Sequence, residues 1–392
     1  MLLRHHGGPS VAAENGAAAR VLQLLPEELD AAAANRALSV ARALKGAGGE
    51  MVIAGGPPRL EIDTRRAGID HRPYASTRAS LFHLSATQAL LDTVDQRRLQ
   101  LVHVHGSAGG LAAKAFAEAA NLPLVMTCET LPQAAGLLRR RAARKHISGR
   151  PVIVRSAYAA ECLRRDFSVP EAAIRVIPPG IDLEAFDESR VGTARKLALL
   201  ESWGLHDDPR PLILLPVASA DPSWLATVLA AAAAPDAPDA VWMLLGAAQD
   251  AAAARARISG SPAASRVAWA EMPDDWPAAC KLASLVVSLP VHPPLICEHA
   301  LAAQAMGRPV ITSDAGAGAE TIQPGKTGWL VRARDPGSLV YAVSGALERD
   351  DIIRTAMSMA ARSFVAQRFS IARMQAETLA VYRETLAARK LP

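Results

Sequence analysis

Short, continuous apolar runs alternate with longer Ala/Leu/Arg-rich stretches along most of this 392-residue chain, and that rhythm constrains the fold more than any other feature. RVLQLL (20–25), EMVIAG (50–55), LQLVHVH (99–105), LPLVMTC (122–128), RPVIVR (150–155) and IRVI (174–177) have the length of strands. Runs without polar alternation suit strands covered on both faces, as in parallel sheets. Between them, roughly 31–46, 108–120, 134–146 and 157–166 read as helices. Strand then helix, repeated, implies a parallel sheet with right-handed crossovers. After VIPPGIDLEAF (176–186) the rhythm starts again: PLILLPV (211–217), AVWMLLG (240–246), RVAWAE (266–271), SLVVSL (284–289), RPVITSD (308–314) and GWLV (328–331). The expectation is an α/β chain of two Rossmann-like, doubly wound domains with an interdomain cleft. Pro178-Pro179-Gly180 is the expected hinge, stiffened by proline and freed by glycine. In such sheets ligands sit at the carboxyl ends of the strands.

Composition narrows the function classes. Half the residues are hydrophobic and 21% charged, the balance of a soluble globular chain, and its length favours two domains. Cys128, Cys162, Cys280 and Cys297 show no CxxC spacing, which argues against a disulfide framework or a zinc site and fits a reducing compartment. Residues 1–19 lack an apolar signal-peptide core and read as a flexible tail, and no stretch is apolar enough to span a bilayer. The expected location is cytoplasmic, peripheral to the inner face of the membrane. That association rests on GLLRRRAARKHISGR, which packs Arg139, Arg140, Arg141, Arg144 and Lys145 onto about two helical turns. A solvated helix face explains such a run; an anionic membrane surface is the sharper reading. Nucleic acid is not expected, because no aromatic side chains interleave with the charges.

Two stretches carry a resemblance. RVIPPGIDLEAF and AQAMGRPVITSDAGAGAETIQPGKTGWLV, with Gly307, Pro309, Asp314, Gly316, Glu320, Gly325, Gly328 and an RFS…VY ending at 368–382, resemble glycosyltransferase family 4. The likeness runs from about Arg20 to Tyr382 and implies the GT-B fold and retaining, metal-independent transfer from a nucleotide sugar, so no cofactor or metal is expected. It divides the chain into an N-terminal acceptor-side domain (20–177), a C-terminal nucleotide-sugar-side domain (178–370) and a helix (371–392) returning to the first domain. That helix carries Ile371, Met374, Tyr382 and Leu386 on one side.

The matched residues are mostly scaffold, and the residues that would do chemistry differ. A departing diphosphate needs preorganised cations and N–H groups, and sugar hydroxyls are held best by carboxylates. Where the family carries an Arg and a Lys after its second domain's first strand, this chain has Ala218 and Ser223. The family's paired Glu residues fall on Pro294 and Ala302, and its loop glycine on Cys297, followed by Glu298. In the first domain, the family's Gly-Gly turn matches Ala32-Ala33, and a frequent His matches Glu129. Candidate donor contacts are Arg36, Gln249, Cys297, Glu298 and Glu320; His105 and Glu129 are the catalytic candidates, neither secure. The first reading is a family member with weak or no activity that works by binding, as partner of a glycosyltransferase in surface-polysaccharide or lipid-glycan assembly. Its possible ligands are a nucleotide sugar or nucleotide diphosphate. The alternatives are an active retaining transferase with relocated donor contacts, or a cleft holding a glycan or nucleotide without transfer.

Overall fold

The computed structural model describes residues 19–74, 98–106, 110–131, 136–216, 222–289 and 296–389. It divides into two compact units. One comprises the chain up to Ile153 with Ala172–Arg175 and the end from Gln375; the other comprises Val154–Glu171 and Val176–Met374.

The first unit is built on β1 (Arg20–Leu25), β2 (Glu50–Gly55), β3 (Asp70–Arg72), β4 (Leu101–His105), β5 (Leu124–Thr127), β6 (Val152–Val154) and β7 (Ile174–Val176). Their order is β3-β2-β1-β4-β5-β6-β7, and the pairs from β3 through β6 are parallel. The order reverses between β1 and β4, and that switch point is where such sheets open a crevice. The described helices of this unit before its last strands are α1 (Ala31–Gly46), α2 (Pro58–Arg66), α3 (Gly110–Ala119) and α4 (Leu137–Ile147). Asp30 starts α1 by accepting the Ala33 N–H at 2.7 Å. Ala33, Ala37, Leu38, Ala41 and Leu44 recur at helical spacing and are buried. Arg140, Arg141, Arg144 and Lys145 are exposed on α4, which also contains Arg139.

The second unit starts with α5 (Ala157–Phe167). Then come α6 (Thr193–Ser202), β8 (Leu212–Pro216), α7 (Pro222–Ala233), β9 (Val241–Gly246), α8 (Ala251–Ser259) and β10 (Val267–Glu271). Next are α9 (Trp276–Leu282), β11 (Leu285–Ser288), α10 (Glu298–Ala305), β12 (Val310–Ser313) and β13 (Gly328–Val331), followed by α11 (Pro336–Leu347) and α12 (Asp351–Arg368). The sheet is parallel in the order β10-β9-β8-β11-β12-β13, with an apolar core on each face. Its strands are the continuous apolar runs of the sequence because both faces are covered. Gly307 ends α10 at φ +72°; a Cβ there would lie 2.2 Å from Ser358 Oγ, so the turn needs glycine twice over.

The carboxylate of Glu188 collects three cations: Arg308 at 2.8 Å, Arg362 at 2.9 Å and Lys281 at 3.2 Å. It thereby ties the segment after 178–186 to α9, α12 and the turn before β12. The last helix, α13 (Ile371–Arg389), has residues in both units. From Gln375 onward it belongs to the first: Thr378, Val381 and Tyr382 are buried, and Gln375 Nε2 donates to Ser39 Oγ at 2.9 Å. Among the described residues no helix is long and apolar enough to cross a membrane.

Candidate functional site

In the first unit the chemistry gathers at the carboxyl ends of β4 and β5, beside the switch point. Strand alternation sends His103 and His105 to the same face of β4. Their rings stand 4.3 Å apart, and both are almost wholly buried. His105 Nδ1 is 3.0 Å from Glu129 Oε1, while Arg36 Nη2, from α1, donates to Glu129 Oε2 at 2.8 Å. Arg36 and Glu129 are 9% and 4% exposed, so the pair is screened little by solvent. His103 bonds Tyr382 Oη through Nδ1 at 2.6 Å and Thr127 Oγ1 through Nε2 at 2.7 Å. Gln23 Nε2 extends the chain of bonds to Tyr382 Oη at 3.3 Å.

Three candidates that lie far apart in the sequence, Arg36, His105 and Glu129, therefore form one buried cluster. A carboxylate against Nδ1 orients an imidazole and stabilises its protonated form, the arrangement that serves proton transfer. The same carboxylate neutralises Arg36, whose positive charge would otherwise be available to a phosphate. Ala32 and Ala33 lie in the first turn of α1, and Asp30 caps it. A helix start after the first strand of a Rossmann-like sheet is a ready anion site; here a carboxylate already holds it.

In the second unit the candidates have other occupations. Both oxygens of Glu320 accept backbone N–H groups at the start of α5, from Ala157 and Tyr158, each at 2.8 Å. Cys297 is the residue before α10 and Glu298 its first, where a carboxylate complements the helix dipole. Desolvation pushes the Cys297 thiol up, but hydrogen bonds with His299 and Ser288 and the Ala300 N–H outweigh it, leaving the thiol below its ordinary value. Gln249 is exposed on the turn Ala248–Asp250 after β9. Ala302 is buried in α10 and Ser223 half-buried in α7; Ala218 and Pro294 lie outside the described residues. Asp314 Oδ1 accepts the Ala333 N–H at 3.0 Å, a scaffold role. Among the described residues no group of three or more His, Cys, Asp or Glu could hold a metal ion.

Sequence reasoning missed Asp30 and Thr127 as neighbours of this site, and read Tyr382 only as part of the apolar stripe of the last helix. Asp30 carried a readable signal, since Asp directly before an apolar-periodic stretch marks a helix start. Thr127 carried none, because only tertiary contact joins it to His103, and the bond of Tyr382 to His103 is likewise a tertiary contact.

Similarity to known proteins agrees with this architecture. The model described as Glycosyltransferase Family 4 matches residues 33–185, and the one described as Glycosyl transferases group 1 matches residues 218–349. By sequence the chain matches none of the curated proteins. Among solved structures it resembles a glycosyltransferase from Rickettsia africae at TM-score 0.85 and 18% identity, covering 94% of this chain and 98% of that one. Anabaena HepE in complex with UDP and glucose superposes at TM-score 0.78 and 16% identity over 92% and 99% of the two chains. Sucrose-phosphate synthase from Thermosynechococcus elongatus does so at 0.75 and 20% over 94% and 100%. With one family model on each half and two parallel Rossmann-like sheets, this chain belongs to the glycosyltransferase-family-4-like proteins of GT-B fold.

Proposed function

We propose that the chain is a family member whose donor clamp has been dismantled, acting by binding in surface-polysaccharide or lipid-glycan assembly rather than by rapid glycosyl transfer. The observation that carries this reading is the buried Arg36–Glu129 ion pair at 2.8 Å. Arg36 is the one permanently charged cation among the candidate donor contacts, and its charge is spent inside the protein. The engagement of Glu320 with α5 and the alanine at 302 support the same reading. Removing one charge-stabilising donor costs about 2.7–4 kcal/mol of barrier, and members of a clamp act as a unit.

HepE has been captured with UDP, with UDP and glucose, and with UDP-glucose, which makes uridine nucleotides the first ligands to test. An intact donor site would stabilise the chain by about 2.7 kcal/mol at a hundredfold excess over Kd, several degrees of melting temperature for a chain of this size. The expected outcome is no such shift with UDP, UDP-glucose or other nucleotide diphosphates, and no detectable donor hydrolysis or transfer. A saturable shift with turnover would overturn the proposal.

A second reading has one observation in its favour. The His105–Glu129 contact at 3.0 Å lies at the strand ends where an acceptor would bind, and would serve a transferase with relocated contacts. Turnover abolished by His105→Ala would select it. The basic face of α4 supports a peripheral place at the inner membrane surface, beside a partner glycosyltransferase.

A further inference from the structure

Helix α12 turns an uncharged face to solvent. Its inward side, Met357, Ala361, Phe364 and Val365, is buried, and Phe364 and Val365 share a core with Leu301 of α10. Helical spacing sets Ile352, Thr355, Ala356, Met359, Ser363 and Ala366 on the opposite side, and all of them are exposed. A surface helix ordinarily points its charges outward. The charged residues of α12 are instead engaged off this face: Asp351 with Arg354, Arg362 with Glu188 at 2.9 Å, and Arg368 over the rings of Phe364 and Phe369 at 5.6 and 5.9 Å. Ile352 is 82% and Met359 62% exposed, high values for large apolar side chains. The strip from 352 to 366 is about 21 Å long at 1.5 Å per residue. Exposed apolar surface rimmed by polar residues marks an interaction site.

We propose that a second copy of this chain covers the strip, with the two α12 helices packed antiparallel about a two-fold axis at Met359. A two-fold contact needs a patch complementary to itself, and the order of residues on α12 meets that condition. Residues equally far from Met359 on either side face each other, Ile352 opposite Ala366 and Thr355 opposite Ser363. Large meets small in the first pair, and two hydroxyls meet in the second. The same register sets Asp350, at the start of the helix, opposite Arg368 at its end. Both are exposed, so opposite charges close the two ends of the strip. An anionic membrane or a nucleic acid would find no cation on it. One helix face is smaller than the roughly 800 Å² per partner of a standard interface. The dimer is therefore weak, with a Kd of micromolar order.

Sedimentation velocity of the full chain over about 2 to 200 µM, a range that brackets a micromolar Kd, reads the association. The weight-average mass should rise from one chain towards two. Met359→Glu sets two carboxylates against each other at the axis and should raise the Kd at least about tenfold. That side chain is exposed, so the variant should keep the wild-type melting profile at low concentration. Oxidative cross-linking checks the register. Met359→Cys should form a disulfide between copies, because the axis brings the residue against itself. Ile352→Cys stands about 21 Å from its own copy and should not. Cys128, Cys162 and Cys280 are buried, and the wild-type chain under the same oxidant gives the background from Cys297. A single-chain mass throughout the range overturns the proposal and leaves the face to a different partner. So does association unchanged in Met359→Glu, which would place the contact elsewhere, or equal cross-linking of the two cysteine variants, which would exclude the antiparallel pairing.

Discussion

Replacing Glu129 by leucine tests the cluster at the ends of β4 and β5 most directly. The substitution strands Arg36, only 9% exposed, beside an apolar side chain. Breaking a buried pair by removing one partner costs about 3–5 kcal/mol. Loss of the His105 bond at 3.0 Å adds about 1 kcal/mol. The total, roughly 4–6 kcal/mol, is a large part of the 5–15 kcal/mol typical of a folded domain. With a urea m-value near 2 kcal/mol/M, the midpoint should fall by about 2–3 M. Arg36→Met should cost a similar amount for the converse reason. The double variant Arg36→Met/Glu129→Leu should recover most of the loss, because apolar side chains of similar volume often replace a buried pair at little cost. Urea unfolding followed by circular dichroism completes the cycle. Single variants within about 1 kcal/mol of wild type, or a double variant whose loss equals the sum of the singles, would refute a coupled buried pair.

Other predictions follow from single contacts. Burial raises the Glu188 carboxyl, but hydrogen bonds with Arg362 and Lys281 outweigh it and hold the group below its ordinary 4.5. Its stabilisation is therefore complete above that value and lost as pH falls through the folded pKa. Glu188→Gln should lower the melting temperature at pH 7, with the gap to wild type closing as pH falls below the ordinary carboxyl value; a pH-independent gap would contradict the assignment. Cys297 should react first with iodoacetamide at neutral pH, read by peptide mass spectrometry, because Cys128 is pushed up to about 12 by burial and by Glu129. Earlier labelling of Cys128 would reverse that order. Binding to anionic vesicles through α4 should weaken steeply between low and physiological salt, since exposed charges are screened beyond about 10 Å at 0.1 M. Equal binding to neutral vesicles would reduce the basic run to a solvated face.

The two sheets were legible in the sequence because a strand covered on both faces is apolar at most positions, and such runs stand out locally. Helix α1 was legible for a similar reason, with its burial stripe written at helical spacing. The three-residue β3, Asp-His-Arg, and the polar helix α2 were not, since neither carries an apolar period. The departures from the family's donor residues could also be read position by position. What replaced them could not. Glu129 meets Arg36 across 93 residues and His105 across 24, and Glu320 meets the start of α5 across more than 160. A candidate's charge is a property of its own residue; whether that charge is available depends on which partners folding brings within hydrogen-bonding distance.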